Sequence, residues 1–123
     1  MARVLLTALL LCVCALGEEA AAIKILEKRC SGCHNSSTKQ SGLDLTSRAL
    51  AVRGGDRGPA IQPGSAKDSM LYQVVTHAAK PRMPYGAAKL SDEELKILAT
   101  WIDHGANWEG NATPAAVPAR VVK

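Results

Sequence analysis

Cys30-Ser31-Gly32-Cys33-His34 sets two thiols three positions apart, close to one helical turn, with an imidazole directly after the second. On such a turn both sulfurs face one side, at a spacing suited to joining the two vinyl groups on one edge of a haem, and the next residue is aimed at the iron. Ser31 and Gly32 are small enough for the backbone to approach a porphyrin. A bare Cys-x-x-Cys can also be a redox dithiol or half a zinc site. The first alternative asks for an alternating strand and helix pattern, which the chain lacks, and the second for a further ligand from His77 or His104. The pattern favours one covalently attached haem c, held by Cys30 and Cys33 with His34 as an iron ligand.

Working outward to the N-terminus, Met1-Ala2-Arg3 precedes an uncharged run of 13 residues from Val4 to Leu16, and Ala15-Leu16-Gly17 leads into Glu18-Glu19. This is the layout of a positive start, an apolar stretch and a small-residue cleavage site. The run is too short for the roughly 20 apolar residues of a spanning helix. A cleavable signal peptide over 1–17 is therefore predicted, with a periplasmic or otherwise exported product and no stable membrane insertion. Cleavage would remove Cys12 and Cys14 and leave Cys30 and Cys33, too few for a disulfide framework.

The remaining chain has room for one domain with a modest core. Phe is absent, and Trp101, Trp108, Tyr72 and Tyr85 are the only aromatics, so a buried porphyrin would supply apolar bulk that the side chains do not. The formal charge of +4 comes from bases spread among acids, without interleaved aromatics, which gives no support to nucleic-acid binding.

Helical patterning is expected over 20–33, near 46–53, over 67–79 and from Ser91 onward. Met70, Leu71, Val74 and Val75 make one face of the third. Ser91-Asp92-Glu93-Glu94 is a capping box, followed by an apolar face of Leu95, Leu98, Trp101 and Ile102, with Gly105 placed to terminate. Residues 35–64 read as a wrapping loop, and the prolines of Lys80-Pro81-Arg82-Met83-Pro84-Tyr85-Gly86 forbid regular helix there. Organisation is thus a signal peptide over 1–17, a domain over 18–109 and a flexible tail over 110–123.

For the sixth iron position the candidates are Met70, Met83, His77 and His104. Met70 belongs to an apolar helical face, where methionine is commonly packing. Met83 sits in a proline-braced loop with no packing reason to hold a thioether, so it is the expected ligand, with a His/His pair as the alternative. His77 and His104 close helices, where a cation suits the dipole.

These residues resemble a class I c-type cytochrome and, more narrowly, the planctomycete-type cytochrome c domain. The narrower resemblance rests on Cys30 to His34, Ser41-Gly42-Leu43-Asp44-Leu45, Gly54-Gly55-Asp56-Arg57-Gly58-Pro59, Arg82-Met83-Pro84, Leu90-Ser91-Asp92-Glu93-Glu94 and Trp101-Ile102-Asp103-His104-Gly105. It implies an all-α fold in which the N- and C-terminal helices pack over a haem crevice, and a distal ligand at the position of Met83.

The function expected is electron transfer by a monomer that is not an enzyme and has no catalytic residues, exchanging electrons with redox partner proteins. The alternatives are a haem-based ligand-binding or sensor module with an open or displaceable sixth position, and a peroxidase, for which no acid or base stands beside Met83. A carbonyl from Gly58-Pro59 is expected on the His34 ring N–H, propionate contacts from among Arg48, Arg53 and Arg57, and a docking rim at Lys80 and Arg82.

Overall fold

The computed structural model describes residues 17–108. The expected signal peptide, apart from Gly17, and the tail over 110–123 lie outside the described residues. Among the described residues there are four α-helices: α1 over residues 17–29, α2 over Arg48–Arg53, α3 over Met70–Val75 and α4 over Asp92–Asp103. A 3-10 turn covers Gln40–Gly42, and pairing of strand type is limited to two isolated bridges. The regular structure of the described residues is helical, without strands, as expected.

The local chemistry of α4 explains its sharp start. The Ser91 hydroxyl accepts the Glu94 amide at 3.1 Å, and the Glu94 carboxylate accepts the Ser91 amide at 2.9 Å, so both halves of the capping box are made. Such a cap is worth about 1 kcal/mol. Its apolar face is then buried as the spacing predicts, with Leu95, Leu98, Trp101 and Ile102 all in the core.

That face meets Ala22, Ile25 and Leu26 of α1 in one cluster. Two polar contacts hold the ends of the pair. Arg29 donates to Glu94 at 3.0 Å, joining the end of α1 to the start of α4, and His104 and Glu18 meet at 2.9 Å at the opposite ends. The N- and C-terminal helices therefore pack in opposite senses. Trp101 and Trp108 meet edge to face, their centroids 5.7 Å apart, and the Trp101 indole N–H donates to the Asn107 carbonyl at 2.7 Å. Glu94 is held ionised below the usual carboxylate range, first by the Ser91 amide, with Arg29 adding to it.

Two expectations about helix length need correction. α1 ends at residue 29 and not 33, because residues 30–33 form a separate turn. The third helix spans Met70–Val75 and not 67–79, so it stops well before Pro81. At its start, the buried Ser69 hydroxyl donates to the Ser65 carbonyl and accepts the Gln62 amide, which holds the preceding residues in turns. At its end, His77 adopts φ 71°, a left-handed conformation that no helix can continue through. α2 starts where expected, its N-cap Ser47 accepting the Leu50 amide at 3.2 Å.

α3 packs against α4. The wrapping segment between α2 and α3 is tied to the far end of α4 by Gly64, whose amide donates to the Ile102 carbonyl, and by the Ala66 amide on the Asp103 carboxylate, both at 2.8 Å. Arg48 satisfies the carbonyls of Gly105 and Ala106, each at 3.0 Å. These ties leave the space between the residue 30–45 loop, α3 and the residue 80–87 loop unfilled.

Candidate functional site

The unfilled space is a cavity of about 700 Å³, within the ~300–1,000 Å³ typical of cofactor pockets. Cys30, Cys33, His34, Met70 and Met83 all line it, among Leu43, Leu45, Leu71, Val74 and Val75.

Cys30 and Cys33 follow directly from the end of α1. The Cys30 amide donates to the Leu26 carbonyl at 3.0 Å and the His34 amide to the Cys30 carbonyl at 3.1 Å, so the five residues close one more turn. Asn35 locks that turn from outside. Its side-chain nitrogen donates to the Ser31 carbonyl at 2.6 Å, and its side-chain oxygen accepts the amides of Ser37 and Thr38. The His34 carbonyl accepts the Leu45 amide at 2.8 Å, which fastens the loop to the cavity wall. Behind it, Asp44 is 4 % exposed and takes hydrogen bonds from Ser36 and Thr46. Burial alone would raise its carboxyl, but those donors, with Lys39 nearby, bring it below its usual range.

The His34 ring is oriented by Nδ1, which lies 3.1 Å from the Gln40 carbonyl oxygen. A carbonyl only accepts, so Nδ1 carries the proton and Nε2 keeps its lone pair for another partner, as in metal-binding histidines. This corrects the expectation for Gly58-Pro59: the Gly58 carbonyl instead accepts the Gly55 amide at 3.2 Å. Nothing in the side chain of Gln40 marks it for the role, since the contact uses its backbone. Gly55 explains the closeness of the two loops, because a Cβ there would lie 2.5 Å from the Ser41 carbonyl oxygen.

The wall separates the four candidate distal ligands. Among the described residues that line the cavity, His34 is the only one with an imidazole. His104 is exposed at the Glu18 end of the helix pair, and the His77 ring bonds the Met83 carbonyl, so the His/His alternative finds no geometric support. Both thioethers remain on the wall. Met83 belongs to the loop, flanked by cis peptide bonds at Lys80-Pro81 and Met83-Pro84, and Met70 opens α3.

The donor set fits a covalently held haem better than the other two readings of the motif. Burial pushes the Cys30 thiol up to about 11, and a protonated thiol is a poor redox nucleophile. No cluster of three or more His, Cys, Asp or Glu able to hold a metal ion occurs among the described residues. The apolar wall, by contrast, suits a large flat apolar group. Of the arginines, Arg29 and Arg57 border the cavity while Arg48 is spent on Gly105 and Ala106, so Arg48 leaves the set expected for propionates. No helix among the described residues is long and apolar enough to cross a membrane.

A family model described as Planctomycete cytochrome C matches residues 30–84, a stretch that runs from Cys30 to just beyond Met83. No curated protein and no solved structure matches the chain.

Proposed function

We propose that the chain is a one-electron carrier with a single covalent haem c, a reading supported by the match of residues 30–84 to the planctomycete cytochrome C model. Cys30 and Cys33 hold the haem by thioether bonds, His34 and Met83 ligate the iron, and the protein is exported as a monomer after removal of residues 1–17. The observation that carries this reading is the meeting of Cys30, Cys33, His34 and Met83 around one apolar cavity.

The bound haem would supply the Fe(III)/Fe(II) couple. The chain's part is placement and tuning. Gln40 holds His34 in the tautomer that leaves Nε2 free. The soft sulfur of Met83 favours the reduced state, raising the potential relative to a second imidazole. Leu43, Leu45, Leu71 and Val74 give the cavity an apolar lining, and Arg57 offers a cation at its edge for carboxylates, Arg29 being already paired with Glu94. With His34 and Met83 both given to the iron, no position would stay open for a substrate, and the protein would work as a carrier, not an enzyme.

The test is acid–acetone extraction of protein matured by a c-type assembly system. Haem is expected to stay with the polypeptide, and to move to the acetone phase when Cys30 and Cys33 are both replaced by Ala. Full extraction from the unaltered protein would reject the thioether assignment.

Beside the Met83 loop runs a surface groove lined by Arg57, Lys80, Arg82 and the 83 %-exposed Tyr85. We propose this as the docking face for an acidic redox partner. Lys80→Glu with Arg82→Glu is expected to slow reduction by such a partner at low salt, with the difference fading within the screening range of about 0.15 M salt. Equal rates in both proteins at low and high salt would remove the face from consideration.

A further inference from the structure

His77 stands two residues beyond α3 with φ 71°, where a residue lacking Cβ fits best and where helix ends commonly place glycine. A bulky residue in such a conformation directs attention to what its ring contacts. That ring is half-buried and does not line the large cavity. It folds back so that Nε2 lies 3.1 Å from the Met83 carbonyl oxygen. The carbonyl can only accept, so Nε2 carries the proton and donates.

Met83 is held at its other backbone group as well, its amide donating to the Val74 carbonyl at 3.0 Å. Both backbone polar groups of this one residue are thus tied to the end of α3. Its neighbours on the loop are less constrained: Pro81, Arg82 and Tyr85 are exposed. The Val74 contact follows from chain direction, while the His77 contact needs a side chain of a particular length with an N–H at its tip.

We propose that His77 is a positioning residue for Met83, its Nε2–H holding the Met83 carbonyl so that the thioether stays turned towards the cavity. This rests on the reading of Met83 as the distal iron ligand. His77 acts through Met83 and touches neither haem nor iron.

The experiment compares matured holoprotein as wild type, His77→Gly, His77→Gln and Met83→Ala. Its readouts are the sulfur-to-iron charge-transfer band of the oxidised form and the affinity for added imidazole, both at one fixed pH. Glycine suits the backbone and removes the ring, whereas glutamine keeps a side-chain N–H near the Nε2 position. In His77→Gly the band should weaken and imidazole should bind about three- to tenfold tighter, the effect of one lost hydrogen bond. His77→Gln should return both readouts most of the way to wild type. A His77→Gly protein with wild-type band and affinity, while Met83→Ala loses the band, would overturn the proposal alone. Equal loosening in the Gly and Gln variants would assign the effect to ring packing and overturn the hydrogen-bond role. A band that survives Met83→Ala would overturn the ligand reading and the proposal with it.

Discussion

The Cys30→Ala/Cys33→Ala double variant, purified free of haem, is expected to lose cooperative unfolding altogether. The reason is the size of what haem fills. A sealed void of the cavity's 700 Å³ would cost about 17 kcal/mol at ~24 cal/mol per Å³. Water entering at the mouth makes that an upper bound, yet a domain's whole stability is only about 5–15 kcal/mol. Leu43, Leu71, Val74 and Val75 would be left lining a cavity with nothing packed on its inner side, and the pairing of α1 with α4 cannot offset that alone. Circular dichroism checks this: a broad, non-cooperative melt with a flattened near-ultraviolet signal from Trp101 and Trp108. A sharp transition with native-like tryptophan signals in the haem-free variant would show that the polypeptide holds its own core.

Met83→Ala is expected to convert a closed iron site into an open one, while Met70→Ala leaves it closed. Both thioethers border the cavity, so geometry alone leaves the choice between them to chemistry. Both methionines are partly buried against the core cluster, but Met70 is the first residue of α3 and its position is set by that helix. Met83 lies in a loop whose backbone is tied down on both sides. If Met83 leaves the iron about 1 % of the time in the reduced protein, removing it should tighten carbon monoxide binding about a hundredfold. The charge-transfer band of the oxidised protein should vanish in Met83→Ala and persist in Met70→Ala. Carbon monoxide binding as tightly to wild type as to Met83→Ala would favour the ligand-sensing alternative over the carrier. The reverse pattern between the two methionines would move the ligand to α3.

Much of this was readable along the chain because it depends on neighbours in sequence. The attachment motif needs one turn and three side chains, all within Cys30 to His34, and the structure closes that turn by hydrogen bonds between the same residues. The capping box of Ser91 and Glu94 spans four residues, and the face of Leu95, Leu98, Trp101 and Ile102 follows from helical spacing alone. The non-helical loop around Met83 follows from the chemistry of proline.

Contacts between distant segments were not readable in that way. The third helix is shorter than its apolar spacing implies, because the turns at Ser65 to Ser69 and the left-handed His77 cut it at both ends. The carbonyl on the His34 ring comes from Gln40, a backbone group with no residue signature, and Arg48 serves the end of α4 instead of the haem edge.

The sequence by itself determined the all-α class and pointed to all four cavity-lining residues proposed to hold the haem, Cys30, Cys33, His34 and Met83, because helical period, proline and the thiol spacing act over a few residues. Only the tertiary structure decided that Met83 lines the same cavity as His34, that His77 and His104 do not, and which backbone groups hold each in place. Those outcomes depend on where α3 stops and how α1 and α4 pack, and no local pattern encodes the distance between chain segments that meet only after folding.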